Sequence, residues 1–286
     1  MVERTSPWVK EHPIITYFVL AYAISWIIVA PLVASAQGFI DVPIPFALHY
    51  LNDYAPLLAA IITTAVASGR DGLRDLFQRM IKWRVGWGWV LVAAFSPLAV
   101  YAIAVGIVVF VLGDPPPDLS LLGTITYIPF LGWGAWVFWI LTAGIGEESG
   151  WRGYALPKLQ AHMSALSATL IVTLLWVGWH LPRFFYYGAY MELGFSVLPL
   201  AAHGFLALAI VLTWLYNSTR GSILMVALFH GGYNFWATSG GAGGSITSTI
   251  DALFIIWAVA LVVVCGPANL SPKREAHAMK VSCWPV

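Results

Sequence analysis

The feature that most constrains this chain is a succession of long apolar runs broken by short polar segments. In hydrocarbon there is no water to pair with backbone N–H and C=O groups, so a spanning segment must satisfy them internally. A run of about 20 mostly apolar residues does this as a helix. Hydrophobic residues make up 60% of the 286 residues and charged residues 9%, where an ordinary soluble domain is about 25% charged. The expected fold class is therefore an all-α polytopic membrane protein, with residues 1–286 forming a single membrane domain.

The runs lie at approximately 14–36, 46–68, 88–113, 126–156, 163–181, 194–216, 220–238 and 249–266, giving eight transmembrane helices. The seventh, with "ALFHGGYNFWATSG", is the most polar. The first is too long for a signal h-region and lacks an A-x-A exit, so it reads as a span. Charge tests the count, because cytoplasmic loops collect Lys and Arg. With the N-terminus inside and eight helices threaded, 13 of the 14 Lys and Arg residues fall inside and Arg183 alone falls outside. Both termini are expected in the cytoplasm, with 267–286 as a cytoplasmic tail carrying Lys273, Arg274 and Lys280. Between spans 2 and 3, "RDGLRDLFQRMIKWRVGWGW" places Leu73, Leu76, Phe77, Met80 and Ile81 on one helical face with basic residues opposite. This predicts an interfacial amphipathic helix on the cytoplasmic surface.

A net charge of +1 offers no footprint for nucleic acid, so no nucleic-acid partner is expected. Cys265 and Cys283 have no metal-ligand or CxxC spacing. No internal repeat or paired broken helices of the transporter kind are evident.

Ionisable residues within spans are functional candidates by default. Asp53 and Asp251 read as helix-end residues near the outer interface, and His203 as a lone interhelical hydrogen-bonding residue. The stretch "GIGEESGWRGY" (144–154) holds Glu147, Glu148 and Arg152, "LLWVGWHLPRF" holds His180, and "ALFHGGYNFW" holds His230 and Asn234. His230 and Asn234 share a helix face at i, i+4. Counted from the cytoplasmic turns at about 1.5 Å per residue, Glu147, His180, His230 and Asn234 fall in one layer roughly 15–24 Å up. Adjacent helical residues point about 100° apart, so Glu147 and Glu148 cannot both face one centre. Glu148 and Arg152 stand in the favourable acid-first i, i+4 order. Glu147 is thus expected to face the histidines and Glu148 the arginine.

A buried carboxylate, two imidazoles and an amide can activate water. Glu147 would take the proton from a water held by His180. The hydroxide would attack a peptide carbonyl, and His230 and Asn234 would donate to the oxyanion. No cofactor is required by this chemistry. A zinc version would use Glu147, His180 and His230 as ligands around an open position, although no HExxH is present. Ser149 is a weak nucleophile candidate, since no adjacent base accompanies it.

"EESGWR" (147–152) matches EExxxR, "WVGWH" (176–180) stands where FxxxH is expected, and "HGGYN" (230–234) matches HxxxN. In this order and on apolar segments they resemble the CAAX prenyl protease and bacteriocin-processing (CPBP) family of intramembrane endopeptidases, also called Abi or type II CAAX proteases. The motifs span about 125–240, and "RMIKWRVGWGW" is also similar to the family. The resemblance implies a glutamate-dependent intramembrane peptidase with Glu147 as catalytic carboxylate, His180 as its water-holding partner and His230 and Asn234 as the oxyanion site. Glu148 and Arg152 complete the first motif. Trp176 replaces the usual Phe, which keeps an aromatic wall but puts substrate fit in question.

The expected partners are the lipid bilayer and a membrane-associated peptide or protein, of prenylated CAAX type or bacteriocin-like. The expected location is a prokaryotic plasma membrane. The competing readings are a non-catalytic immunity or scaffold protein that keeps the polar layer for packing, and a transporter with a mid-membrane polar site.

Overall fold

A computed structural model describes residues 7–125, 128–238 and 240–272. Among the described residues every regular element is a helix. Among them, five stretches are long and apolar enough to cross a membrane: Pro13–Ala36, Trp87–Phe110, Ala165–Phe185, Gly188–Ser218 and Ser245–Cys265. They match five of the eight expected runs. Their main helices are α1 (Pro13–Ala36), α3 (Trp87–Phe110), α7 (Ala165–Trp179), α8 (Leu198–Ser218) and α10 (Ser245–Cys265).

The other three runs are helical without being continuous, fully apolar rods. The run expected at 46–68 opens in short turns at Ala47–Leu51 and Asn52–Tyr54 before α2 (Ala55–Met80). The run expected at 126–156, whose first two residues lie outside the described ones, is a composite. It passes from α4 (Gly134–Trp139) through a π-helical stretch, Ile140–Glu147, to a single turn, α5 (Glu148–Gly150). A second π-helical stretch, Trp151–Ala155, leads into α6 (Leu156–Gln160). The run expected at 220–238 is α9 (Ile223–Thr238), with 16 residues.

Glycines let these irregular elements pack backbone to backbone, as small residues do between membrane helices. A Cβ on Gly144 would lie 2.6 Å from the carbonyl oxygen of Ala227 in α9, and one on Gly231 would lie 2.6 Å from the amide nitrogen of Ile140. Gly146 approaches the carbonyl of Asp53 just as closely. The composite helix is thereby clamped between α9 and the turn that precedes α2. α9 also packs against α3 and α8, and α8 against α7 and α10.

The expected interfacial helix is a continuation of α2 beyond a break at Gly69, where φ is 61° and ψ is −150°. Its polarity departs from the expected pattern. Phe77 and Ile81 are exposed, while the Arg79 Nη1 donates to the carbonyl of Gly153 at 2.8 Å and to the Tyr216 hydroxyl at 2.9 Å. Arg79 turns inward because its long side chain can satisfy both oxygens at once. Lys82 Nζ donates to the carbonyl of Arg220 at 2.7 Å. These bonds gather Arg79, Lys82 and Arg220 at one end of the bundle.

The expected tail begins as packed structure. The amides of Ala165 and Leu166 donate to Ala268 and Pro267, and Asn217 Nδ2 donates to Asn269 at 2.7 Å. Leu270 is fully buried. Residues 267–272 therefore seal the ends of α7, α8 and α10. Arg4 and the part of the tail that holds Lys273, Arg274, His277, Lys280 and Cys283 lie outside the described residues. His203 is exposed, with its Nδ1 on the carbonyl of Pro199 in its own helix, so it is not the interhelical link expected of it.

Gly144→Ala would push a methyl into the Ala227 backbone, which has no flexible end to move aside. Overpacking of this kind costs about 1–3 kcal/mol. The variant should melt earlier than wild type in detergent, as read by a thermal unfolding scan.

Candidate active site

The composite helix, α7 and α9 bring the motif residues together. Glu147 is 3% exposed, Glu148 and Arg152 are 0%, His180 is 6% and His230 is 3%. Buried charges require partners, and most of them have one. Arg152 Nη1 donates to Glu148 Oε1 at 3.0 Å, the i, i+4 pair expected from the sequence. The guanidinium also lies over the Trp176 ring, with Cζ 4.8 Å from its centroid, within cation–π range.

The two carboxylates do divide their work, but differently from the expectation. His230 Nδ1 lies 2.8 Å from Glu148 Oε1, so Glu148 holds both Arg152 and the histidine of α9. Glu147 Oε2 accepts from Trp176 Nε1 at 2.6 Å. The π-helical winding before Glu147 changes the angle at which the two acids leave the helix, which a regular 100° step does not anticipate. Trp176 stands between the pairs. Its ring lies 5.8 Å from His180 and 5.5 Å from His230, the latter edge-to-face at 88°.

Hydrogen-bond partners fix which ring nitrogen carries a proton. His180 Nδ1 is 2.7 Å from the carbonyl of Trp176. A carbonyl only accepts, so Nδ1 carries the hydrogen. In the neutral ring this leaves Nε2 with a free lone pair, suited to holding a water. His180 caps α7, where Trp179 and Phe205 enclose its ring at 4.8 and 4.7 Å. The His230 Nδ1 likewise donates, here to Glu148. Asn234 sits one turn further along α9, half-buried, and its side chain forms no hydrogen bond among the described residues. The Ser149 hydroxyl donates to the carbonyl of Ile145 at 2.6 Å within its own helix, which suits a structural role.

Among the described residues no group of three or more His, Cys, Asp or Glu side chains is arranged to hold a metal.

Two residues of the neighbourhood were expected elsewhere. Asp53 is 1% exposed, against the expectation of an interface residue, and packs its backbone against Gly146 beside Glu147. Arg183, the expected outer cation, turns inward and sits 3.7 Å from Asp53 Oδ1. That separation makes an ion pair but is too long for a hydrogen bond. Asp53 falls there because "LNDYAP" winds into short turns, not an interfacial helix end. The available signal was complementary: one cation on the outer side, three residues after His180, and one acid in the second apolar run.

Residues 128–236 match the model of a family described as type II CAAX prenyl endopeptidase, Rce1-like. The matched stretch contains Glu147, Glu148, Arg152, Trp176, His180, His230 and Asn234. CAAX prenyl protease 2 of Methanococcus maripaludis is similar as well, being 31% identical over 106 residues, or 33% of this chain. The chain covers 36% of the length of that relative. The segment that builds the buried polar cluster is thus similar to the Rce1-like type II CAAX prenyl endopeptidases.

Proposed function

We propose that the protein is an intramembrane endopeptidase that hydrolyses a peptide bond of a membrane-associated substrate. The observation that carries this reading is the buried cluster itself: two carboxylates, two histidines and an arginine contributed by three separate helical elements. Packing alone does not call for such a concentration of polar groups, since helices in lipid associate through small residues and single hydrogen bonds. The similarity of residues 128–236 to the Rce1-like family model supports the same chemistry.

In the proposed mechanism Glu147 is the general base. One of its oxygens is held by Trp176, and the other takes a proton from a water that also donates to His180 Nε2. The hydroxide adds to the scissile carbonyl. His230, when its ring carries both hydrogens, donates from Nε2 to the oxyanion while Glu148 balances the charge, and Asn234 Nδ2 supplies a second donor. Each such donor is worth about 2.7–4 kcal/mol in the transition state. Glu147 then returns the proton to the leaving amine. Arg152 acts at one remove, holding Glu148 against His230. No metal or cofactor enters this scheme. The substrate is proposed to be a lipid-anchored or otherwise membrane-bound peptide of CAAX or bacteriocin-like type, cleaved at a prokaryotic plasma membrane.

The membrane arrangement proposed with it has eight spans. The five continuous helices surround α2, the composite helix and α9, both termini are cytoplasmic, and residues 70–80 lie along the cytoplasmic surface. Sidedness reporters fused to each end should both report the cytoplasm. A C-terminus on the opposite side from the N-terminus would refute the even count.

Purified protein should cleave a fluorogenic farnesylated CAAX peptide or a member of a peptide library. General-base catalysis contributes about 10²–10⁴-fold, so Glu147→Gln should lose activity by that order while melting near the wild-type temperature. Equal cleavage by both proteins would remove Glu147 as the base. Exhaustive chelation followed by assay in metal-free buffer should leave the rate unchanged. A loss restored by zinc would replace the glutamate-only scheme.

A further inference from the structure

Trp176 meets more of the cluster than any other side chain. Its indole N–H donates to Glu147 Oε2, its face carries the Arg152 guanidinium, and its ring stands against both histidines. Its backbone carbonyl orients His180. Phe205 packs edge-to-face on it at 4.9 Å, and only 1% of the residue is exposed, so its indole is locked. A Phe at this position, as in the FxxxH pattern that the segment resembles, would keep the aromatic wall and a face for Arg152. It would have no hydrogen to donate to the carboxylate.

We infer that Trp176 is a positioning residue for Glu147. The inference rests on Glu147 being the base. A glutamate side chain has three rotatable bonds, so its carboxylate needs a fixed partner to hold one orientation. The rigid indole donor pins Oε2, so Oε1 is the oxygen presented for proton transfer. Arg152 and Trp176 support one another here, since the guanidinium holds the ring that holds the carboxylate. The two motif acids are thus fixed by different donors, His230 with Arg152 for Glu148 and Trp176 for Glu147. Catalytic geometry is sensitive at this scale, where a displacement of about 1 Å can cost on the order of 10²-fold in rate.

The test separates the hydrogen of the indole from its bulk. Trp176→Phe removes the donor, and benzothienylalanine incorporated at position 176 removes it while keeping the ring size. Both should lower kcat by about tenfold or more with KM within about twofold, because the lost contact orients the base and not the bound substrate. A structural filler would instead show wild-type kcat with benzothienylalanine, and that result overturns the inference. So does a change confined to KM. Wild-type kcat in both Trp176 variants beside an inactive Glu147→Gln leaves the base standing and removes only the positioning role. An active Glu147→Gln removes both. A readout independent of turnover is a thermal cycle of Trp176→Phe, Glu147→Leu and the double variant. Contacting residues give non-additive losses, so additive shifts in melting midpoint would also overturn the inference.

Discussion

One oxygen of a fully buried glutamate joins the composite helix of this protein to α9. Glu148 Oε1 accepts from Arg152 within its own helix and from His230 on α9. A carboxylate in such a place is tolerated only while its partners stay, because losing one partner of a buried ionic group typically costs about 3–5 kcal/mol. The composite helix and α9 are therefore tied at the level where their backbones already touch through Gly144 and Gly231. Everything else in the site is placed relative to that tie. Glu147 is the preceding residue, Trp176 spans from it to Arg152, and His180 hangs from the carbonyl of Trp176.

The architecture separates two demands. Continuous apolar helices can face lipid and satisfy their own backbones. Helices that carry charges, glycines and π-helical turns cannot do so alone. The site-bearing elements here are packed among other helices, with α9 against α3 and α8 and the composite helix against α2. π-helical turns are common where function demands a side chain at an unusual angle. In this protein they flank Glu148–Gly150 on both sides.

Much of this was legible in the sequence because it is local or periodic. Apolar run length marks spans, so five of the eight expected runs recur as continuous apolar helices. The Glu148–Arg152 pair was legible because i, i+4 neighbours meet on any helix. Equal depth in the bilayer drew Glu147, His180 and His230 into one cluster before any contact was seen. Less local features were not legible. The choice of Glu148 by His230, the inward turns of Arg79 and Arg183, and the burial of Asp53 depend on which helices are neighbours and how they are rotated. Hydropathy gives depth but no azimuth around the helix axis.

The sequence by itself determined that the chain is helical and membrane-embedded, which residues are too costly to bury without a task, and which family its motifs resemble. Each follows from the solvent properties of lipid and from spacing along one strand of chain. Only the tertiary structure decided how the paired acids divide. A π-helical stretch rotates Glu147 toward the indole of Trp176 and leaves Glu148 to Arg152 and His230, and winding of that kind is set by the backbones packed against Gly144 and Gly146. The role of Trp176 likewise became visible only there, since a hydrogen bond between residues of separate helices has no signature in either helix alone.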